Sequence, residues 1–183
     1  MDEALRREVM RMAAELERPP EDAALPPGTT DAEMDAFEAR TGVPVPPELR
    51  EWLRFTNGPR IGPGNVYGIR TAHKFVDAEA VYGSVPEFRE RGWIPVSGNG
   101  CGCYYVLVTR SADAVRPVYF IDPYQDGGYG VPTYAVASGL WRFLWFLFRS
   151  ELGDRSWPFD RAAVLVADPE LAGVRGARLP WEA

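Results

Sequence analysis

The residue types that most often do covalent chemistry are few in this chain, and their spacing limits what they can do. There are two cysteines, Cys101 and Cys103, and one histidine, His73. A cysteine or serine nucleophile needs a base beside it, and His73 lies in no known motif with either cysteine or with a serine. Structural zinc takes four ligands, so two thiols and one distant histidine make a poor zinc site. The pattern favours buried or half-buried structural cysteines.

Two loops could carry chemistry of another kind. The glycine-rich residues 98–102 resemble a phosphate-binding loop in composition, but such loops end at a helix N-terminus, whereas this one leads into a predicted strand. Asp122 and Asp126, within IDPYQDGGYG, could act as paired carboxylates. Asp-Pro and Asp-Gly-Gly are also ordinary turn sequences. Tight turns explain both loops better, so we predict no catalytic residue, no metal and no cofactor, and a protein that is not an enzyme.

The net charge of −6, with an isoelectric point near 4.9, bears on the class of partner. Binding to a nucleic-acid backbone depends on clustered lysine and arginine that release counterions, so nucleic acid is not expected as a direct partner. An acidic surface could attract a basic protein and steer its approach. Mild acidity also keeps many proteins soluble, and the charge alone does not select between these two explanations.

The length and the distribution of apolar residues predict one soluble domain. A chain of 183 residues is close to the common size of a single domain. The first 15 residues interleave arginine with glutamate, so they lack the apolar core of a signal peptide. The longest apolar cluster, residues 140–148, is far shorter than the roughly 20 residues that a membrane-spanning helix needs. We therefore expect a cytoplasmic protein with no membrane segment.

Helix signals mark four segments. Residues 2–16 carry apolar side chains at helical spacing. The sequence Thr-Asp-Ala-Glu at 30–33 is a capping box, which predicts a helix over residues 31–40. The proline pair at 46–47 predicts the start of a further short helix, because proline fits the first helical turn. Residues 140–148 are apolar on most sides, and a helix of that composition is normally buried against a sheet.

Five segments have the β-branched and aromatic content of strands, and glycine-rich or polar turns separate them. We predict an α+β fold, with a single domain that has a central, mostly antiparallel sheet of about five strands and flanking helices. The domain itself is expected over residues 29–152, between an N-terminal helix and linker over residues 1–28 and an irregular C-terminal extension over residues 153–183 that packs on the same domain. The predicted strands are residues 66–69, 93–96, 104–109, 117–121 and 133–137.

Three motifs, taken in order, resemble one known family. The first is TGVPVPPELREWLRFTNG at 41–58, the second is WIPVSGNGCG at 93–102, and the third is SGLWRFLWF at 138–146. Together they resemble the SUKH superfamily, a set of mostly bacterial proteins related to a yeast cell-wall-synthesis regulator. The resemblance covers residues 29–152. Cys103 stands where the family often has an acidic residue, so no role for a carboxylate is carried over to this position.

The resemblance implies a function in immunity against bacterial toxins. Such a protein binds a toxin domain, for example a basic nuclease, and blocks it by stoichiometric occlusion without catalysis. The runner-up is an intracellular regulatory or scaffold protein that binds housekeeping partners. A third alternative is a small-molecule-binding domain, which would need a deep pocket with converging titratable groups.

The loops are the expected partner surface. They hold polar and aromatic side chains that do not follow the periodicity of the core, and tyrosine and arginine are enriched at interface hot spots. The predicted partner-binding residues are Arg60, Tyr67, Asn99, Tyr124, Asp126 and Tyr129.

Overall fold

The computed structural model describes residues 3–16, 25–110, 115–125 and 127–182. Within them the chain is a single α+β domain in which helices surround one sheet. Part of the predicted linker, residues 17–24, lies outside the described residues, as does Asp126. The helices are α1 Glu3–Leu16, α2 Asp31–Thr41, α3 Pro47–Phe55, α4 Ala78–Ser84, α5 Pro86–Glu90, α6 Leu140–Glu151 and α7 Arg161–Ala167, and the strands are β1 Trp93–Gly98, β2 Tyr104–Val108, β3 Val118–Ile121 and β4 Tyr134–Ala137.

The four strands form an antiparallel sheet in the order β1-β2-β3-β4. The prediction of about five strands was therefore too high by one, because residues 66–69 do not form a strand. They make two isolated bridges, one antiparallel between Val66 and Ser97 and one parallel between Gly68 and Asp77. The backbone of Ile69 is bonded to the Asn57 side chain instead. The Asn57 side-chain oxygen accepts from the Ile69 N–H at 2.8 Å, and the Asn57 side-chain NH₂ donates to the Ile69 carbonyl at 2.9 Å. A segment held by a side chain in this way cannot extend the ladder.

Local signals in the sequence account for where α2 begins and ends. The Thr30 hydroxyl accepts from the backbone N–H of Glu33 at 3.3 Å, and the Glu33 carboxylate accepts from the backbone N–H of Thr30 at 3.0 Å. The same carboxylate accepts from the Thr29 hydroxyl, and these bonds lower the pKa of Glu33 from its ordinary 4.5 to about 2. At the other end Gly42 has φ +71°, as a C-terminal glycine commonly does. The predicted capping box is confirmed.

Two helices, α4 and α5, were not predicted. They have only seven and five residues, too few to show a clear helical period. Their caps were nevertheless visible in the sequence. The Asp77 side chain accepts from the backbone N–H groups of Glu79 and Ala80, and Pro86 opens α5.

The core is organised around α6, as its composition predicts. One side of α6 meets the sheet, where the Phe143 and Tyr105 ring centroids lie 5.0 Å apart. Another side meets α1 and α3, and the ring of Trp52 on α3 lies 6.1 Å from Trp141 and 6.0 Å from Phe148. Burying one side chain of this size contributes about 1.5–3 kcal/mol to folding. Among the described helices, none combines the length and the apolar character that crossing a bilayer requires.

The residues after α6 are bonded closely to the rest of the domain. They contain α7 and a 3₁₀-helix at Pro169–Gly173, within an extension that was predicted to be irregular. The Asp168 carboxylate, 1% exposed, accepts from the Ser138 backbone N–H at 2.8 Å and from its hydroxyl at 2.6 Å. Farther along, the Ala135 N–H of β4 donates to the Arg178 carbonyl at 2.9 Å. These bonds fix the extension to the start of α6 and to the outer side of β4.

Replacing Asp168 with alanine is expected to lower the free energy of unfolding by about 2 kcal/mol, because two buried donors of Ser138 lose their acceptor. Urea denaturation monitored by tryptophan fluorescence measures the change. Asp160→Ala, which removes only the exposed cap of α7, is the control and should cost about half as much. Equal losses in the two variants would contradict the assigned role of Asp168.

The same carboxyl should make stability depend on pH. Burial raises the pKa of Asp168 above its ordinary 3.8, so the unfolded chain releases this proton at lower pH than the folded protein does. The raised pKa of Asp168 therefore adds most to the free energy of unfolding below the pKa of the unfolded chain, near pH 4. This addition is lost as the pH rises through the pKa of Asp168 in the folded protein. Asp168→Asn should remove this part of the pH dependence. Parallel curves of unfolding free energy against pH for wild type and Asp168→Asn would contradict the assigned effect of Asp168 on the pH dependence.

Candidate partner-binding groove

A groove lies where the loop before residue 67 meets the loop between β1 and β2. It encloses about 250 Å³ and is open to solvent. Its walls are aromatic rings and the backbone of glycine residues. The lining residues are Pro63, Gly64, Asn65, Tyr67, Phe75, Gly98, Gly100, Gly102, Cys103 and Tyr104.

Glycine allows the two loops of the groove to touch backbone to backbone. A Cβ on Gly64 would lie 2.2 Å from the carbonyl carbon of Gly98, and a Cβ on Gly100 would lie 2.8 Å from the carbonyl oxygen of Pro63. Both distances are too short for any side chain. Gly100 also has φ +77°, a conformation that favours glycine. The predicted tight turn at residues 98–102 thus forms one wall of the groove.

Aromatic rings pack beneath and beside this wall. Tyr104 contacts three other rings, those of Tyr67, Phe88 and Tyr129, at centroid distances of 6.3, 5.5 and 5.8 Å. Tyr67 is itself buried, and its backbone N–H donates to the Val96 carbonyl at 2.9 Å. The Tyr129 hydroxyl donates to the Gly102 carbonyl at 3.3 Å. Together these contacts fix the positions of the rings before any partner arrives.

The loop at 98–102 is held from within by Asn99. Its side-chain oxygen accepts from the backbone N–H groups of Cys101 at 2.8 Å and of Cys103 at 3.1 Å. Tyr124 stands at the rim of the loop, because a Cβ on Gly102 would lie 3.7 Å from its hydroxyl. Tyr124 is 81% exposed, which makes its ring available to a partner.

The opposite wall is built from residues 60–75. Phe75 lines the groove and is 59% exposed. The His73 ring stacks on it, with centroids 5.3 Å apart and an angle of 27° between the planes. His73 in turn shares a hydrogen bond with the Arg60 guanidinium, at 3.2 Å between Nε2 and Nη2. Arg60 is thereby connected to the groove through two stacked rings.

A model of the SMI1 / KNR4 family (SUKH-1) matches residues 28–144. The chain belongs to this family. The match covers more than half of this SUKH-1 protein, and it includes both loops of the groove. Helix α1 and the residues after α6 lie outside it. No curated protein and no solved structure matches the chain.

The predicted partner-binding residues fall into three groups in this SUKH-1 protein. The residues at or next to the groove are Arg60, Tyr67, Tyr124 and Tyr129. Asn99 supports the loop through its side chain. Asp126 lies outside the described residues. That these residues bind a partner stays a prediction.

Two aromatic residues of the groove were missed from the sequence. Phe75 follows the only histidine and the only lysine of the chain, within TAHKFVD, and an aromatic residue in so polar a segment was the available signal. Tyr104 was assigned to a strand as a structural residue. Its place in the groove depends on which side of the sheet it faces, and that could not be read without the register.

Burial favours the neutral forms of three titratable groups at the groove, those of Tyr67, Tyr129 and Cys103. Burial raises the pKa of the Tyr67 hydroxyl and, with a smaller effect, that of Tyr129. Burial also raises the pKa of the Cys103 thiol, and the charge of nearby Asp122 adds to this shift. Neutral phenols and a neutral thiol act as hydrogen-bond donors and apolar surface. Within the described ranges, no three His, Cys, Asp or Glu side chains are grouped as a metal ion would need.

Gly64→Ala is expected to destabilise the protein by more than 1 kcal/mol and to separate the two loops, since its Cβ would overlap the Gly98 backbone. Gly83→Ala is the matched control, because Gly83 lies in α4 with nothing within 4 Å of an added Cβ. Alanine there should stabilise the protein by roughly 0.5–1 kcal/mol. Thermal unfolding and amide chemical shifts at residues 98–102 report the two effects. Equal behaviour of the two variants would contradict the described contact.

Proposed function

We propose that this SUKH-1 protein is an immunity protein that neutralises a bacterial toxin domain by direct, stoichiometric binding, with the groove as the contact surface. Membership of the family is the observation that carries the proposal. The mechanism is occlusion, in which the immunity protein covers the surface that the toxin needs for its own activity. No catalytic step is required of the SUKH-1 chain.

The groove has the features of a preformed binding surface. Two aromatic side chains, Phe75 and Tyr124, stand exposed at its mouth, and rings of this kind dominate the energetics of many interfaces. The rings below them are fixed by mutual contacts and the loops by backbone contact. A rigid surface loses little conformational entropy on binding, so more of the contact energy appears as affinity.

The cavities of the molecule support a protein partner over a small molecule. One cavity, at the start of α6, encloses about 300 Å³, at the lower end of the range for ligand pockets. Two of its carboxylates already have partners in the chain. Asp168 bonds Ser138, and Glu48 lies 3.5 Å from the Arg116 guanidinium. Such a cavity offers few polar groups to fix the orientation of a ligand.

The proposal can be tested by growth rescue. A tagged form of the protein is used to isolate its partner from the native lysate, and the partner is expressed with and without the SUKH-1 protein in a neutral host. Expression of the partner alone should stop growth, and co-expression should restore it with a one-to-one complex. Recovery of housekeeping proteins that do not affect growth would favour the scaffold alternative and overturn the proposal.

Replacing Phe75 and Tyr124 together with alanine should weaken toxin binding at least tenfold, because two exposed aromatic contacts are lost while the buried rings remain. Phe159→Ala is the matched control, since Phe159 is 61% exposed but contacts Tyr134. Isothermal titration calorimetry measures the affinities, and circular dichroism verifies the fold. Unchanged affinity in the double variant would show that the partner binds elsewhere.

A further inference from the structure

The charges around the groove are distributed unevenly. Lys74, the only lysine of the chain, lies between His73 and Phe75 and is exposed. Arg60 reaches the same end through its hydrogen bond to His73. At the Tyr129 end acidic groups are accompanied by the Arg91 guanidinium, which lies 3.4 Å from the position of a Cβ on Gly130. The charge of Glu87 helps to raise the pKa of Tyr129, and Asp122 accepts from the Tyr124 backbone N–H at 2.9 Å.

The positive charge of Lys74 is not neutralised within the described part of the chain. Elsewhere on the surface, arginine side chains lie against carboxylates, as in the pairs Arg40–Glu79 and Arg54–Asp31, both at 2.7 Å. Lys74 makes no ion pair with any residue that the structure describes. The acidic residue closest to it in sequence, Asp77, uses its carboxylate to bond three backbone N–H groups. An exposed cation without an ion pair therefore lies next in sequence to Phe75, an exposed ring that lines the groove.

The groove offers contact surface to an apolar side chain. Its 250 Å³ lie among aromatic rings and glycine backbone, and burial raises the pKa of two of its titratable groups, Tyr67 and Cys103. An apolar side chain that enters displaces water from these rings. Once water is excluded nearby, an opposite charge placed against Lys74 interacts more strongly than it would in bulk solvent.

We infer that the partner inserts a loop in which an acidic residue, placed against Lys74, adjoins an apolar residue that fills the groove. This inference rests on the proposed use of the groove as the partner surface. It is compatible with a toxin that is basic overall, because the net charge of −6 acts at long range while the Lys74 contact acts locally. A basic toxin would thus present one acidic side chain at the contact.

The probe for the first test is a displayed library of random ten-residue peptides, panned on the full-length protein and counter-selected on Phe75→Ala. Enriched peptides should carry Asp or Glu next to a large apolar residue. Their affinity should fall at least tenfold on Lys74→Glu and change less than twofold on Arg155→Glu, an exposed residue of the extension that gives the same change in net charge. Enrichment of basic peptides, equal binding to the two variants, or no Phe75-dependent enrichment would overturn the inference.

The single lysine allows a second test on the wild-type chain. Acetylation removes the charge of Lys74, whereas reductive dimethylation keeps it, and both reagents have the same respective effects on the charge of the N-terminal amine. Acetylated protein should lose at least tenfold in affinity for the selected peptides, and dimethylated protein should retain it. Lys74→Arg, which has no lysine, should retain its affinity after acetylation. Equal losses after both modifications would overturn the assignment to charge.

The two proposals fail separately. If acidic, Phe75-dependent peptides are selected but growth rescue fails, the inferred chemistry of the groove is supported and the immunity function is overturned. Successful growth rescue by a toxin whose binding is unaffected by Lys74→Glu would keep the immunity function and remove the acidic contact.

Discussion

Helix α6 must be covered on most sides, and the rest of the architecture follows from that requirement. Its apolar residues extend around the helix, so a single sheet cannot bury them all. The sheet covers one side through Tyr105, and α1 and α3 cover another. The residues after α6 add Trp157, whose ring stacks on Phe146 at 6.0 Å. Two of these covers, α1 and the extension, lie outside the segment that matches the family. The burial of α6 therefore depends on segments on both sides of the matched residues.

The same packing leaves one end of the sheet free to form the groove. Residues 66–69 lie beside β1 without joining its ladder, because Asn57 holds the backbone of Ile69. This arrangement carries Tyr67 to the base of the groove and places residues 62–66 against the glycine loop. The position of the groove thus depends on an asparagine that follows α3. The asparagine of the Thr-Asn-Gly sequence that ends the first motif, Asn57, thus has a structural role, because it bonds the backbone of Ile69.

Signals that act over a few residues were read correctly from the sequence. The capping box of α2, the proline start of α3 and the buried character of α6 depend on neighbours along the chain, and each was found. The count of strands failed because the competing bond comes from Asn57, twelve residues before Ile69. Three tyrosines at or next to the groove, Tyr67, Tyr124 and Tyr129, were named from the sequence as loop residues, and their use by a partner stays a prediction. The positions of Phe75 and Tyr104 depend on contacts that the sequence does not display.

The outer strands of the sheet each have a neighbour that is not a strand. Beside β1, Tyr67 donates to the Val96 carbonyl, and beside β4, Ala135 donates to the Arg178 carbonyl. An exposed strand edge can pair with the edge of another molecule and so begin aggregation. At these points the backbone groups are already bonded, which limits such pairing at both sides of the sheet. Exposed aromatic rings at the groove can themselves promote association, and the bonded sheet edges remove a second surface at which it could begin.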